Sequence, residues 1–260
     1  MIHKILADKP TKLFIFLSAF FVANALIAEC IGTKLFSLEA ALGLVAHPFT
    51  LLGQQGLTYT LTCGVILWPL EFVLTDVVNE YYGPKAVRRI SYTAIILISY
   101  AFLAFYAAIH LPAAGFWVDS QKNEGVPDMQ AAFNSIFGQG MWIIFGSLVA
   151  FLVSQLLDVW VFHKIKKVTG EKSVWLRATG STLVSQLIDS FIVLFIAFKL
   201  GRGWSYQQVL AIGLVNYSYK AVMAIVLTPL IYLVEAGIER YLGPEKTREM
   251  KLAAMGKTND

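Results

Sequence analysis

The sequence predicts an all-α integral membrane protein, a bundle of six transmembrane helices with a short interfacial or re-entrant segment after the first helix. Three observations support this class. The 260 residues are 57% hydrophobic and only 15% charged, whereas soluble domains contain about 25% charged residues. The apolar residues form long stretches, and lysine and arginine collect in alternate loops. We therefore expect one compact bundle, a single domain over residues 1–260.

Six stretches are long and apolar enough for helices that cross a bilayer core, which takes about 20 residues each. They are 13–28, 59–82, 91–111, 141–162, 176–200 and 209–238. The last is longer than one span, so we expect Pro229 to kink it or its end to lie along the membrane surface. The apolar stretch 36–52 is interrupted by Glu39, His47 and Pro48. It predicts a short interfacial or re-entrant element rather than a seventh span.

The distribution of basic residues predicts that both termini are cytoplasmic. Sixteen lysines and arginines lie in the termini and loops of one side and four in those of the other, while Lys220 falls within the sixth span. Basic loops stay in the cytoplasm, so the richer side is the inner one. Its basic residues are Lys4, Lys9, Lys12, Lys85, Arg88, Arg89, Lys164, Lys166, Lys167, Lys172, Arg177, Arg240, Lys246, Arg248, Lys251 and Lys257. We expect them to set topology and contact anionic lipids rather than to bind nucleic acid.

A Ser-Gln-Leu-x-Asp motif occurs twice inside the apolar stretches, at 154–158 and at 185–189. A carboxylate inside a span is energetically costly, so such residues are rare and usually functional. Counting about 1.5 Å per residue from the flanking basic residues places Asp189 and Lys220 near mid-membrane and Asp158 nearer the cytoplasmic face. An acidic partner would lower the cost of Lys220; Asp189 is the first choice and Asp76 the second.

Five of the six predicted spans carry polar residues, which predicts a polar site between helices. The substrate-binding candidates are Asp189, Asp158, Gln186, Gln155, Asp76, Lys220, Asn216, Tyr217, Glu71, Asn24 and Phe72. Carboxylates accept hydrogen bonds and carboxamides both donate and accept, which suits the edge of a planar heterocycle. These residues alone do not distinguish a purine from an amino acid or an ion. A purely structural role as interhelical clamps stays open, above all for Asp158 and Glu80.

Four segments of this set, at 68–84, 154–162, 181–190 and 216–220, resemble in order the motifs of the queuosine precursor transporter family, also called the vitamin uptake transporter family. The first runs Trp-Pro-Leu-Glu-Phe-Val-Leu-Thr-Asp and ends Glu-Tyr-Tyr-Gly-Pro, and the last contains a Tyr-x-x-Lys element. Asn216 stands where some members carry aspartate. The resemblance implies uptake of 7-cyano-7-deazaguanine or 7-aminomethyl-7-deazaguanine, precursors of the tRNA base queuosine, across the bacterial inner membrane.

For such a substrate, Asp189 or Asp158 is expected to accept the ring N–H and amine protons, Lys220 to balance charge or contact the carbonyl oxygen, and Phe72 or Tyr217 to stack. A substrate-binding subunit of an ATPase-energised transporter is the alternative, because the chain lacks a Gly-rich phosphate loop. A membrane aspartyl hydrolase is disfavoured by the unequal aspartate depths, so we expect no enzyme. We expect no cofactor or metal. The expected partners are the deazaguanine and the lipid bilayer, and a homodimer is left open.

Overall fold

Helices dominate the computed structural model, which describes residues 8–138, 140–169 and 173–255. The helices are α1 (Lys9–Ile31), α2 (Leu38–Ala41), α3 (Trp68–Tyr82), α4 (Pro84–His110), α5 (Gly115–Val118), α6 (Met129–Phe137), α7 (Met141–Thr169), α8 (Val174–Leu194, continued by a π-helix at Phe195–Leu200), α9 (Tyr206–Val226), α10 (Thr228–Leu242) and α11 (Pro244–Ala254). Short strands β1 (Leu35–Ser37), β2 (Phe49–Leu51), β3 (Gln54–Leu57) and β4 (Thr60–Thr62) pair antiparallel as β1 with β4 and β2 with β3. The predicted all-α membrane class is confirmed.

Within the described residues, five helical regions are long and apolar enough to cross a membrane. They are α1, α4, the region Met129–Thr169 that contains α7, α8 with its π-helical end, and α9. Four of these regions correspond to the predicted spans 13–28, 91–111, 141–162 and 176–200, and α9 corresponds to the first part of the span predicted at 209–238. The remaining predicted span, 59–82, differs from the structure.

The predicted span 59–82 is wrong in its first part, because the helix α3 begins only at Trp68. Residues 60–62 instead pair as β4 with β1. Pro69 lies in the first turn of α3, where the missing N–H of proline removes no helical hydrogen bond. With 15 residues, α3 is about 22 Å long, shorter than a hydrocarbon core of about 30 Å. That α3 crosses the membrane, and that the bundle has six spans, stays a prediction.

The helix α3 occupies the centre of the bundle. Every residue from Glu71 to Tyr81 is buried, and α3 contacts α1, α4, α7 and α11. Its apolar side chains Val73, Val77 and Val78 belong to the main core cluster. A helix surrounded by other helices can carry several polar residues, because these face protein instead of lipid.

Two other segments also deviate from regular spans. The long predicted span 209–238 breaks at Leu227 into α9 and α10, and Pro229 lies in the first turn of α10. The predicted interruption of this span is therefore confirmed. The stretch 36–52 forms no spanning helix but the one-turn helix α2 and parts of β1 and β2.

The helices α7 and α8 form an extensively packed antiparallel pair. Gly146 of α7 lies so close to α8 that a Cβ placed there would be 3.2 Å from both Ile196 Cβ and the Val193 carbonyl oxygen. Small residues allow such close helix contacts in membranes. This packing brings the two copies of the repeated motif together.

Candidate functional site

The two Ser-Gln-Leu-x-Asp motifs face each other across α7 and α8. Each serine donates a hydrogen bond to the aspartate of the other motif, Ser185 Oγ to Asp158 Oδ1 at 3.1 Å and Ser154 Oγ to Asp189 Oδ1 at 3.4 Å. The four-residue offset between serine and aspartate spans about 6 Å along a helix. Asp189 and Asp158 therefore lie about one helical turn apart in depth, in agreement with the unequal levels expected from the sequence.

Lys220 joins α9 to this pair of helices. Its Nζ donates a hydrogen bond to Asp189 Oδ2, and the two side chains form an ion pair. The side chains are 14% and 18% exposed, so solvent retains access to the pair. The expected pairing of Lys220 with Asp189, rather than with Asp76, is confirmed.

A cavity of about 520 Å³ lies beside this ion pair, within the range of about 300–1,000 Å³ that is usual for small-molecule sites. The predicted site residues that line the cavity are Asp189, Lys220, Gln186, Asn216 and Phe72. Exposed Leu35 and Arg202 also line it. These two residues follow the ends of α1 and α8, so the cavity reaches the surface at the end of the bundle where α3 begins.

Several predicted site residues lie outside the cavity and hold helices together. Asn24 Nδ2 donates to Glu71 Oε2 at 2.7 Å and thereby links α1 to α3. Thr75 Oγ1 donates to Gln155 Oε1 at 3.0 Å and links α3 to α7. Tyr217 does not line the cavity either. The contacts of Asn24, Glu71 and Gln155 are those expected of interhelical clamps.

Asp76 faces a second and much smaller pocket of about 20 Å³. This small pocket shares Trp68, Phe72, Gln186 and Lys220 with the large cavity. Asp76 is therefore adjacent to the cavity but separated from it by these side chains. Asp158 is buried to 0% exposure and lines neither space.

Glu29 and Trp68 are among the cavity residues that the sequence analysis did not select. Glu29 of α1 lines the cavity and accepts a hydrogen bond from Ser147 Oγ of α7. It directly follows the predicted end of the first span at residue 28, whereas α1 continues to Ile31. Trp68 adds an aromatic wall beside Phe72. Trp68 lies one helical turn before the polar residues of α3, and this spacing could have identified it as a site residue from the sequence.

The end of the bundle where α3 terminates is closed by a buried ionic cluster, the Glu80 cluster, which consists of Glu80, Lys166 and Arg177. Lys166 Nζ lies 2.9 Å from Glu80 Oε2, and Arg177 Nη2 lies 2.9 Å from Glu80 Oε1. The two basic side chains are each 1% exposed. The expectation that Lys166 and Arg177 are loop residues that contact lipid is thus wrong, because both neutralise a carboxylate inside the bundle.

The C-terminal helix α11 packs against the same end. Lys251 Nζ lies 3.2 Å from carboxylate oxygens of Glu235 and Glu239, and 5.2 Å from the centre of the Tyr81 ring. Burial alone would lower the pKa of Lys251, but Glu235, Glu80 and Glu239 together raise the pKa above its ordinary value. Lys251 is therefore a stable cation that ties α11 to α10.

The fold and its buried ion pairs define a multi-pass helical membrane protein with a polar internal cavity. Over residues 62–234 the chain matches the family model described as "Putative vitamin uptake transporter", and it belongs to this family. The matched region includes α3 and α7 to α9, which supply most of the polar wall. The resemblance drawn from the sequence motifs is confirmed. The family description agrees with the expectation of a transporter rather than an enzyme.

Curated relatives carry consistent names. The chain is 36% identical over 145 residues to the "Probable queuosine precursor transporter" of Bacillus subtilis (strain 168), a match that covers 55% of the chain and 58% of the relative. It is 28% identical over 187 residues to the "Queuosine precursor transporter" of Escherichia coli (strain K12), covering 70% of the chain and 74% of the relative. The alignment thus spans little more than half of the Bacillus protein. No solved structure gives a significant match.

Proposed function

We propose that this chain imports a 7-deazaguanine precursor of queuosine, 7-cyano-7-deazaguanine or its 7-aminomethyl analogue, into the cytoplasm. The observation that carries the proposal is the ion pair of Asp189 and Lys220 on the wall of a cavity of about 520 Å³. The names of the Bacillus and Escherichia relatives support the substrate class. The proposed location is the bacterial inner membrane, with both termini in the cytoplasm.

The chemistry of the cavity wall suits a guanine-like ring. Such a ring presents adjacent N–H donors, and a carboxylate can accept two parallel N–H hydrogen bonds. Asp189 is the proposed acceptor, and the ammonium group of Lys220 would contact the neighbouring carbonyl oxygen. The rings of Phe72 and Trp68 would cover a face of the heterocycle. The side-chain amides of Gln186 and Asn216 would form hydrogen bonds with the other polar edge of the ring.

The shape of the bundle supports import. The cavity reaches the surface beside Leu35 and Arg202, in segments that carry few basic residues. The Glu80 cluster closes the opposite end, which carries most of the lysine and arginine. Since basic loops are cytoplasmic, the cavity would face the outside. A transporter open to the outside and closed to the cytoplasm is ready to load substrate for uptake.

Uptake by cells that lack their own deazaguanine synthesis tests the proposal. Cells that express the chain should accumulate radiolabelled 7-cyano-7-deazaguanine. Asp189→Asn should lower uptake about hundredfold, because hydrogen bonds to a charged group are worth about 1.5–3 kcal/mol each and the amide nitrogen of asparagine accepts none. Glu71→Gln is the matched control, since it neutralises a buried carboxyl group outside the cavity. Undiminished uptake by Asp189→Asn would contradict the site.

Reconstitution separates an autonomous transporter from a subunit. Purified protein in liposomes should take up the labelled deazaguanine without any ATPase. Uptake that appears only after addition of an ATPase component would assign the chain as the substrate-binding subunit of a larger assembly.

A further inference from the structure

Asp76 is a buried carboxyl group that the proposed substrate site does not use. It is 3% exposed, and its Oδ1 has no hydrogen-bond partner among the described residues. The other two carboxyl groups of α3 each have at least one partner. Glu71 Oε2 accepts from Asn24, although Glu71 Oε1 has no partner among the described residues, and Glu80 forms ion pairs with Lys166 and Arg177. An ionised carboxylate without a donor or a counter-ion is costly inside a protein. A bound proton removes that cost.

The small pocket gives Asp76 a path to water. Its volume of about 20 Å³ is enough for about one water molecule. Gln186, 3% exposed, lines both this pocket and the cavity, and its Nε2 also lacks a partner in the described part of the chain. A water molecule between Asp76 and Gln186 would connect the carboxyl group to the cavity. Asp76 therefore lies within reach of protons from the side on which the cavity opens.

The pocket suits a proton better than a metal cation. Hard cations require several oxygen ligands around them. Apart from Asp76, the side-chain oxygens of the lining come from Thr179, Thr182 and Gln186, and Thr179 Oγ1 is bonded to Thr228 Oγ1 at 2.9 Å. The ammonium group of Lys220 lines the same pocket and would repel a second cation.

The charges around Asp76 also leave it in need of a proton. Glu80 is neutralised by Lys166 and Arg177, and Glu235 by Lys251. Asp76 and Asp158 have no ion-pair partner within the described ranges. The charged groups that face Asp76 are Glu80 on α3, Asp158 on α7, Arg177 on α8, Lys220 on α9 and Glu235 on α10.

We infer that Asp76 binds the proton that is transported together with the substrate, and that Lys220 couples the two events. With Asp76 protonated, Lys220 stays on Asp189 and the substrate site is complete. When Asp76 gives its proton to cytoplasmic water, the carboxylate competes with Asp189 for Lys220, which weakens the substrate site. Glu80 lies one turn after Asp76 on α3, so Asp76 is one helical turn from the end of the bundle that faces the cytoplasm in the proposed orientation. The substrate named here rests on the proposed function.

Infrared spectroscopy of the purified protein tests the protonation without any substrate. The carbonyl absorption of protonated carboxyl groups should be present at neutral pH and should lose one component in Asp76→Asn. Glu71→Gln provides the control for a second buried carboxyl group on the same helix. A spectrum that Asp76→Asn leaves unchanged would overturn the assignment of the proton.

Liposomes that contain a pH dye test the coupling. With the outside one pH unit more acidic, wild-type protein should accumulate 7-cyano-7-deazaguanine about tenfold at one proton per substrate, because one pH unit equals a tenfold proton ratio. Added substrate should acidify the lumen. Asp76→Asn should abolish both effects while keeping exchange of labelled for unlabelled substrate within about threefold of wild type, a change of less than 1 kcal/mol. Glu71→Gln should keep all three.

The outcomes separate the two proposals. Proton movement by Asp76→Asn equal to wild type, or accumulation driven by a sodium gradient instead, would overturn the coupling role and leave the substrate intact. Wild-type protein that neither binds nor exchanges the deazaguanine would overturn the proposed function, while the infrared band still decides whether Asp76 holds a proton. If Asp76→Asn does not fold, Asp76→Glu should shift the pH dependence of uptake, and an unchanged profile would contradict the inference.

Discussion

Two ion pairs inside the bundle differ in their access to water. The pair of Lys220 and Asp189 is 14% and 18% exposed and lies on the cavity wall. The pair of Arg177 and Glu80 is 1% and 3% exposed and lies at the closed end. A solvated pair can exchange partners with a ligand, whereas removing one member of a sealed pair leaves an uncompensated charge. The first pair is therefore suited to binding, and the second to holding helices together.

The repeated motif is divided between these two environments. Asp189 has Lys220 as a partner and borders the cavity, while the equivalent Asp158 is fully buried and accepts from Ser185. The serine–aspartate contacts are nearly symmetric, yet Lys220 of α9 pairs with Asp189, and Asp158 has no ion-pair partner among the described residues. Identical sequences thus acquire different roles because their neighbours differ.

The largest effect on stability is expected at the sealed pair. Arg177→Met should lower the free energy of unfolding by about 3–5 kcal/mol, because it removes two buried hydrogen bonds to the Glu80 carboxylate, at 3.1 and 2.9 Å, each worth about 1.5–3 kcal/mol. Thermal unfolding in mild detergent would measure this loss. Lys220→Met is the matched variant and should cost about 1–2 kcal/mol, since cavity water solvates the remaining carboxylate. Equal losses would remove the distinction between the two pairs.

The next largest effect is expected on transport. Here the pair on the cavity wall should matter more than the Glu80 cluster, the opposite of the order expected for stability. Lys220→Met should reduce deazaguanine uptake about hundredfold, or about 2.7 kcal/mol, because Asp189 loses its partner on the cavity wall. Lys166→Met should retain uptake per folded molecule within about threefold, since Lys166 does not line the cavity. Initial rates normalised to surface expression would decide. Loss of uptake in both variants would show that the Glu80 cluster also acts in transport.

The smallest effect is expected at the two serines. Ser185→Ala should destabilise the protein by about 1–3 kcal/mol, because it leaves Asp158 Oδ1 as a buried acceptor without this donor. Ser154→Ala should cost about 0.5 kcal/mol, because its bond to Asp189 is longer, at 3.4 Å, and Lys220 remains. Unfolding midpoints of the two variants give the comparison. A larger loss for Ser154→Ala would contradict the division between a sealed and a cavity-facing motif.

The sequence predicted the helical bundle well where lipid dictates the residues. Long apolar stretches identify α1, α4, α7, α8 and α9 because every lipid-facing residue must be apolar over the bilayer thickness. The same rule failed for α3, which protein surrounds on all sides. Residues 59–67 are largely apolar but form the strand β4 and a 3-10 helix at Cys63–Ile66, and Pro69 was the signal for the true start of α3.

Sequence by itself determined that polar residues are concentrated inside the bundle and that Lys220 needs an acidic partner, with Asp189 the first choice and Asp76 the second, because an unpaired charge at that depth is costly. Only the tertiary structure decided which polar residues share a cavity. Glu71 and Gln155 were expected beside the substrate but face Asn24 and Thr75, while Glu29 entered the cavity through one extra turn of α1. Which face a central helix presents to which neighbour depends on the packing of all helices around it, and spacing along one chain does not encode that choice.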